Sequence, residues 1–166
     1  MTKKFSGVHW MLATPFHEDE GIDLGSIANL ANKAVSSGCE GMVCLGVTGE
    51  AARLTDRERY QIAKTVIHRA RELPVTVGTT AGSTAAAIER SKEAQDLGAT
   101  AVMVSPPTMG KPNPDAVFAH SRKLNAAFPL DDVDQESVRH LEQQTGAVAG
   151  IGFASASTAM IEIAQD

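Results

Sequence analysis

The residues best placed to do chemistry are Gly46-Val47-Thr48-Gly49-Glu50, a run of small residues with one hydroxyl and one carboxylate. Small residues let backbone N–H groups converge on an anion, and the Thr48 hydroxyl adds a donor. A carboxylate or a phosphate suits such a nest, which makes Val47, Thr48 and Gly49 the candidate substrate-binding residues. The plain alternative is a tight strand-to-helix turn whose glycines serve only to accept positive φ. A second group is His17, Glu18 and Asp19, which together with Glu50 offers nitrogen and oxygen ligands for a divalent cation. Their spacing matches no defined ligand motif, so no metal is assigned, and a metal-assisted enzyme is only an alternative. His9, His68, His120 and His140 are dispersed. Cys39 and Cys44 form C-x4-C, neither a redox pair nor a zinc pattern, and read as reduced thiols of a cytoplasmic protein.

An anion nest works when a strand end presents it, and the flanking patterns supply that strand. Gly41 to Gly46 is a short apolar run of the kind buried on both faces of a sheet. Thr55-x-x-Glu58 is a capping box opening a helix with Ile62, Ala63, Val66, Ile67 and Ala70 on one face. The same unit precedes it: a strand over Val8 to Thr14, then a helix from Asp23 to Ser37 with Asp23 as N-cap and Gly38 as left-handed stop. It recurs as Pro74 to Thr79 with a helix from Ser83 (inner residues Ala87, Ile88 and Ala94) to Gly98. It recurs again as Ala101 to Ser105 with a helix near Pro114 to Leu124. Alternation with short connections predicts right-handed crossovers and a parallel sheet, with ligands at the carboxyl ends of the strands.

After Asn125 the rhythm breaks into an acidic run (Asp131, Asp132, Asp134, Glu136) and a polar helix to about Thr145. Ala147 to Phe153 reads as a strand or close-packed turn, and Ser155 to Asp166 as the start of a helix. The expected division is therefore 1–125, the repeating part, and 126–166, a divergent tail that is not an independent domain. The 166 residues are 43% hydrophobic, 21% charged and 4% aromatic, the profile of one soluble globular domain. Fifteen basic and twenty acidic residues give a net charge of −5 with no basic stripe, which argues against a nucleic-acid partner. No stretch approaches the roughly 18 apolar residues of a membrane span, and no signal peptide is visible. By length alone an open sheet fits better than a closed eight-stranded barrel, which needs about 250 residues.

Leu45 to Glu50, followed by Leu54-Thr55-Asp56-Arg57-Glu58-Arg59, resembles the signature of the dihydrodipicolinate synthase and N-acetylneuraminate lyase family of pyruvate-dependent class I aldolases. Ala13-Thr14-Pro15-Phe16, Pro74 to Thr79 and Gly98 to Pro107 resemble the ends of that family's first, third and fourth strands, in order. The resemblance implies a (β/α)8 barrel, usually tetrameric, with a Schiff-base lysine on the sixth strand and a proton-shuttling tyrosine on the fifth. It also implies paired hydroxyl residues after the second strand that bind the pyruvate carboxylate. Thr48 matches the second of that pair and Val47 replaces the first. After the fourth strand, Pro107 and Thr108 stand where many members carry aromatic residues.

Nothing after Asn125 matches the tyrosine strand or the Gly-x-Lys strand, and the last lysine is Lys123. Lys33, Lys64, Lys92 and Lys123 read as outer helix faces, Lys111 as an exposed turn on the active-site side, and Tyr60 as a packing residue. The expectation is a partial (β/α)8 TIM barrel of about four βα units with a helical tail. By resemblance it is a lyase or synthase acting on a 2-oxo acid such as pyruvate, with no cofactor and its catalytic residues unassigned. A catalytically silent interaction module is the alternative. Four parallel strands leave strands one and four as open edges, so a homo-oligomer or docking to another barrel chain is expected.

Overall fold

The computed structural model describes residues 7–107, 114–127 and 159–162. The elements run β1 (His9–Met11), α1 (Leu24–Ser36), β2 (Gly41–Cys44), a 3-10 turn (Ala51–Arg53), α2 (Asp56–Ala70), β3 (Val75–Gly78), α3 (Thr84–Asp96), β4 (Ala101–Val104), α4 (Pro114–Ala127) and β5 (Ala159–Glu162). The strands form one sheet in chain order, β1-β2-β3-β4-β5. β1 and β2 pair in parallel, as do β2 and β3. By contact the chain divides into two compact units, 1–78 with 93–101 and 79–92 with 102–166.

In the first unit, the register aligns Trp10, Met42 and Val75 on one rung and Met11, Val43 and Thr76 on the next. Successive rungs face opposite sides of the sheet. Every residue of β2 and β3 is buried, as a central parallel strand requires. On the side of Met11, Val43 and Thr76 only the edge-strand residue Met11 is exposed, at 37%, while Val43 and Thr76 are buried. Thr76 Oγ1 is buried there without a hydrogen-bond partner. α1 and α2 pack on each other and on β2. Their ends are where the punctuation puts them. Asp23 Oδ1 accepts from Ser26 N at 2.9 Å, and the Ser26 side chain first, with this backbone bond second, holds the Asp23 carboxyl below the ordinary value. Gly38 takes φ +75°. At α2, Thr55 N donates to Glu58 Oε2 (2.8 Å) and Glu58 N to Thr55 Oγ1 (3.3 Å), closing the capping box, and the Thr55 hydroxyl (2.7 Å to Glu58 Oε2) first and Thr55 N second lower the Glu58 pKa.

In the second unit, the Thr79 and Ser91 hydroxyls meet at 2.8 Å, and Ser91 donates to the Ala87 carbonyl. Ser83 Oγ accepts from Ala86 N just before α3. His120 of α4 is 4% exposed; its Nδ1 lies 2.9 Å from Thr84 Oγ1, and its Nε2 is buried without a partner. Burial lowers the His120 pKa from 6.5. The unfolded chain therefore takes up a proton near pH 6.5 that the folded chain refuses until lower pH. Stability is complete above that pH and declines as pH falls through it. Urea midpoints between about pH 8 and about pH 5 should fall more for the wild type than for His120→Gln. Equal slopes would count against a buried neutral ring.

Two expectations change. β1 is shorter than Val8 to Thr14, although Glu40 N to Val8 O and Leu12 N to Val43 O extend its pairing by one residue at each end. Pro15 has no N–H to continue the ladder, and the Thr14 hydroxyl bonds the Gly49 carbonyl instead of facing a strand neighbour's side chain. The helix expected from Ser155 to Asp166 is instead a strand at Ala159–Glu162. A short apolar run fits either period, and β4's edge selects the extended form by offering unpaired backbone groups. β4 is consequently not an open edge: β5 follows it in the sheet. Lys111, the acidic run, the polar helix to Thr145 and the segment Ala147 to Phe153 lie outside the described residues.

Candidate functional site at the end of the second strand

The run from Gly46 to Glu50 leaves β2 as a chain of overlapping tight turns. Gly49 N donates to Gly46 O (3.1 Å), Glu50 N to Val47 O (3.0 Å) and Arg53 N to Glu50 O (2.9 Å). The amides of Gly49 and Glu50 are thus consumed inside the loop. Among the described residues nothing bonds the amides of Val47 and Thr48 or the Thr48 hydroxyl. Val47 is 94% exposed, Thr48 is exposed and Gly49 is buried. An anion can therefore be met by two adjacent N–H groups and one hydroxyl, a narrower donor set than the full run suggests.

The glycines do not serve as the plain turn reading expects. The left-handed residues are Leu45 (φ +58°) and Glu50 (φ +51°), one on each side of the loop, and neither Gly46 nor Gly49 has positive φ. Gly49 is needed for closeness instead: a Cβ there would lie 3.3 Å from the Leu12 carbonyl oxygen and 3.3 Å from Leu45 N. At the end of β3, a Cβ on Gly78 would run into the Leu45 carbonyl. The loop is also tied from the first strand, where Thr14 Oγ1 donates to Gly49 O at 2.7 Å.

Arg59 is a buried cation behind the loop that sequence reading passed over. It is 5% exposed and donates to Ala51 O (2.8 Å) and to Gly78 O (2.6 Å). Its signal was present: Arg59 stands three and four residues before Ile62 and Ala63, on the apolar stripe of α2. Beneath it Cys44 is buried, and burial pushes its thiol up to about 12 against the opposing pull of the Arg59 charge. A thiol held neutral in this way is inert as a nucleophile. Cys39 is also free.

The metal-ligand set does not assemble. His17, Glu18 and Asp19 occupy a small turn closed by His17 N to Gly21 O and capped by Gly21 N to Asp19 Oδ1. His17 faces Asp23 at 3.9 Å, and Glu50 is engaged by Arg53 at 2.9 Å. Among the described residues no three His, Cys, Asp or Glu side chains are grouped to hold a cation. Lys33, Lys64, Lys92 and Lys123 are all exposed on helices. Tyr60 is at the surface of α2 rather than packed inside, with the Lys64 ammonium 5.8 Å from its ring centre. Among the described residues no helix is long and apolar enough to cross a membrane.

Comparison with known proteins agrees with the order of these elements. The profile of the Dihydrodipicolinate synthetase family matches residues 4–133. The chain belongs to the dihydrodipicolinate synthetase family. A 4-hydroxy-tetrahydrodipicolinate synthase of Coxiella burnetii is 32% identical over 130 residues, covering 78% of this chain and 45% of that enzyme. One from Haloarcula marismortui is 31% identical over 147 residues, 86% of this chain and 48% of the relative. The crystal structure of dihydrodipicolinate synthase from Rhodopseudomonas palustris superposes with a TM-score of 0.69 at 33% identity, over 76% of this chain and 42% of that one. The chloride-inhibited enzyme of Acinetobacter baumannii, complexed with pyruvate, gives 0.71 at 34% identity, over 75% and 43%. This member of the family spans under half the length of these relatives, and its fold class is a partial (β/α)8 barrel.

Proposed function

We propose that Val47 and Thr48, in the loop that Gly49 lets pack closely, bind the carboxylate of a 2-oxo acid such as pyruvate, as the N-terminal part of a class I aldolase (lyase) site. The observation that supports this is the pair of unbonded amides at Val47 and Thr48 beside the exposed Thr48 hydroxyl, at the carboxyl end of a central parallel strand. Among the described residues no lysine is placed for the covalent step: Lys33, Lys64, Lys92 and Lys123 are exposed on helices, and Val47 stands where the family's relay hydroxyl is expected. The proposed partner is a second copy of this chain or another barrel chain. Among the described residues no strand pairs with the outer edge of β1, where Val8 is 70% and Met11 37% exposed, and this supports such a partner.

Titration of pyruvate into the ¹⁵N-labelled chain tests the binding. The Val47 and Thr48 amide signals should shift saturably, and Thr48→Val should weaken the affinity about tenfold, the effect of losing a hydrogen bond to a charged group. Shifts that avoid these residues, or an unchanged affinity in the variant, would remove the reading.

A further inference from the structure

We infer that Arg59 is the positioning residue of this loop, holding its two flanks so that the Val47 and Thr48 amides stay presented to an anion. This rests on the reading of Val47 to Gly49 as a 2-oxo acid site. Arg59 is the fourth residue of α2, inside the first turn of a helix whose N-terminus favours negative charge. A cation buried there is adverse for the helix, and burying it also costs solvation. Its place is explained by what it touches. Ala51 O opens the 3-10 turn directly after the left-handed Glu50, and Gly78 is the residue over which the Leu45 carbonyl passes. One planar guanidinium therefore reaches both sides of the loop, the Glu50 side through Ala51 and the Leu45 side through Gly78. Left-handed leucine and glutamate persist only where their surroundings over-determine them. Arg59 supplies that constraint from behind the loop, without touching the ligand. A lysine ammonium, a point donor on a single stem, does not span the two carbonyls in this way.

The test compares wild type with Arg59→Lys and Arg59→Gln by amide hydrogen exchange and by pyruvate titration. The expected result is exchange about tenfold faster at Gly49 and Glu50, little change at Met42 to Cys44, and pyruvate affinity about tenfold weaker. Equal acceleration in the loop and in β2 would make Arg59 a general stabiliser and overturn the proposal. So would an unchanged loop, faster loop exchange with unchanged affinity, or failure of both variants to fold. If the wild type itself shows no pyruvate shifts, the site reading falls; loop-selective exchange then still supports the positioning role, and its absence ends it.

Discussion

Gly78→Ala should lower the stability of the chain by roughly 3 kcal/mol, the upper part of the range for forcing atoms into filled space. The added methyl has nowhere to go. It would run into the Leu45 carbonyl oxygen, which belongs to backbone already in the left-handed region. Moving that carbonyl away displaces the start of the loop, and shifting Gly78 instead disturbs the carbonyl that Arg59 holds. With a urea dependence of about 1–3 kcal/mol per molar, the unfolding midpoint should drop by about 1 M or more. Gly82→Ala is the control, because a Cβ there meets nothing within 4 Å, and it should stay within about 0.5 kcal/mol of wild type. Equal midpoints for Gly78→Ala and Gly82→Ala would show that the close approach of β3 to the loop is not a constraint. Pyruvate titration of the Gly78→Ala chain should also show weaker shifts at Val47 and Thr48, since the loop's geometry changes with its support.

The second large expectation concerns covalent chemistry. After incubation with pyruvate and borohydride, the intact mass of the folded 166-residue chain should remain that of the unmodified protein. An imine forms near neutral pH when a lysine is desolvated or set beside another cation, so that the free amine is available. Lys33, Lys64, Lys92 and Lys123 lie exposed on helices, where neither condition is built. Circular dichroism on the same sample establishes that the chain is folded when it is tested. An adduct mapped to a single lysine would overturn the expectation. Lys111, which follows β4 in the sequence, would then be the first residue to replace. Together with the titration, the outcome separates carboxylate binding from Schiff-base formation, two properties that a complete aldolase site holds at once.

What the sequence determined by itself is the local part of this protein. Asp23 with Gly38, and Thr55 with Glu58, mark the helix ends because caps act within about four residues of chain. The apolar run at Gly41 to Gly46 reads as a strand buried on both faces because such burial leaves no room for polar alternation, and every residue of β2 is buried. The candidate loop was visible too, since small residues at a strand end are themselves a local pattern.

The tertiary structure decided which groups in that loop are free and what holds it. Gly49 and Glu50 turn their amides inward, and the positive φ falls on Leu45 and Glu50 rather than on a glycine, because strand ends far off in the chain fix the path. Thr14 reaches Gly49 across 35 residues and Arg59 reaches Gly78 across 19. The same applies to Ala159–Glu162, whose run of apolar residues suits two periods and takes the one that continues a sheet. Periodicity reports which face of an element is buried; it carries no information about which carbonyl another element will bring to that face, and such pairings are what shape the site.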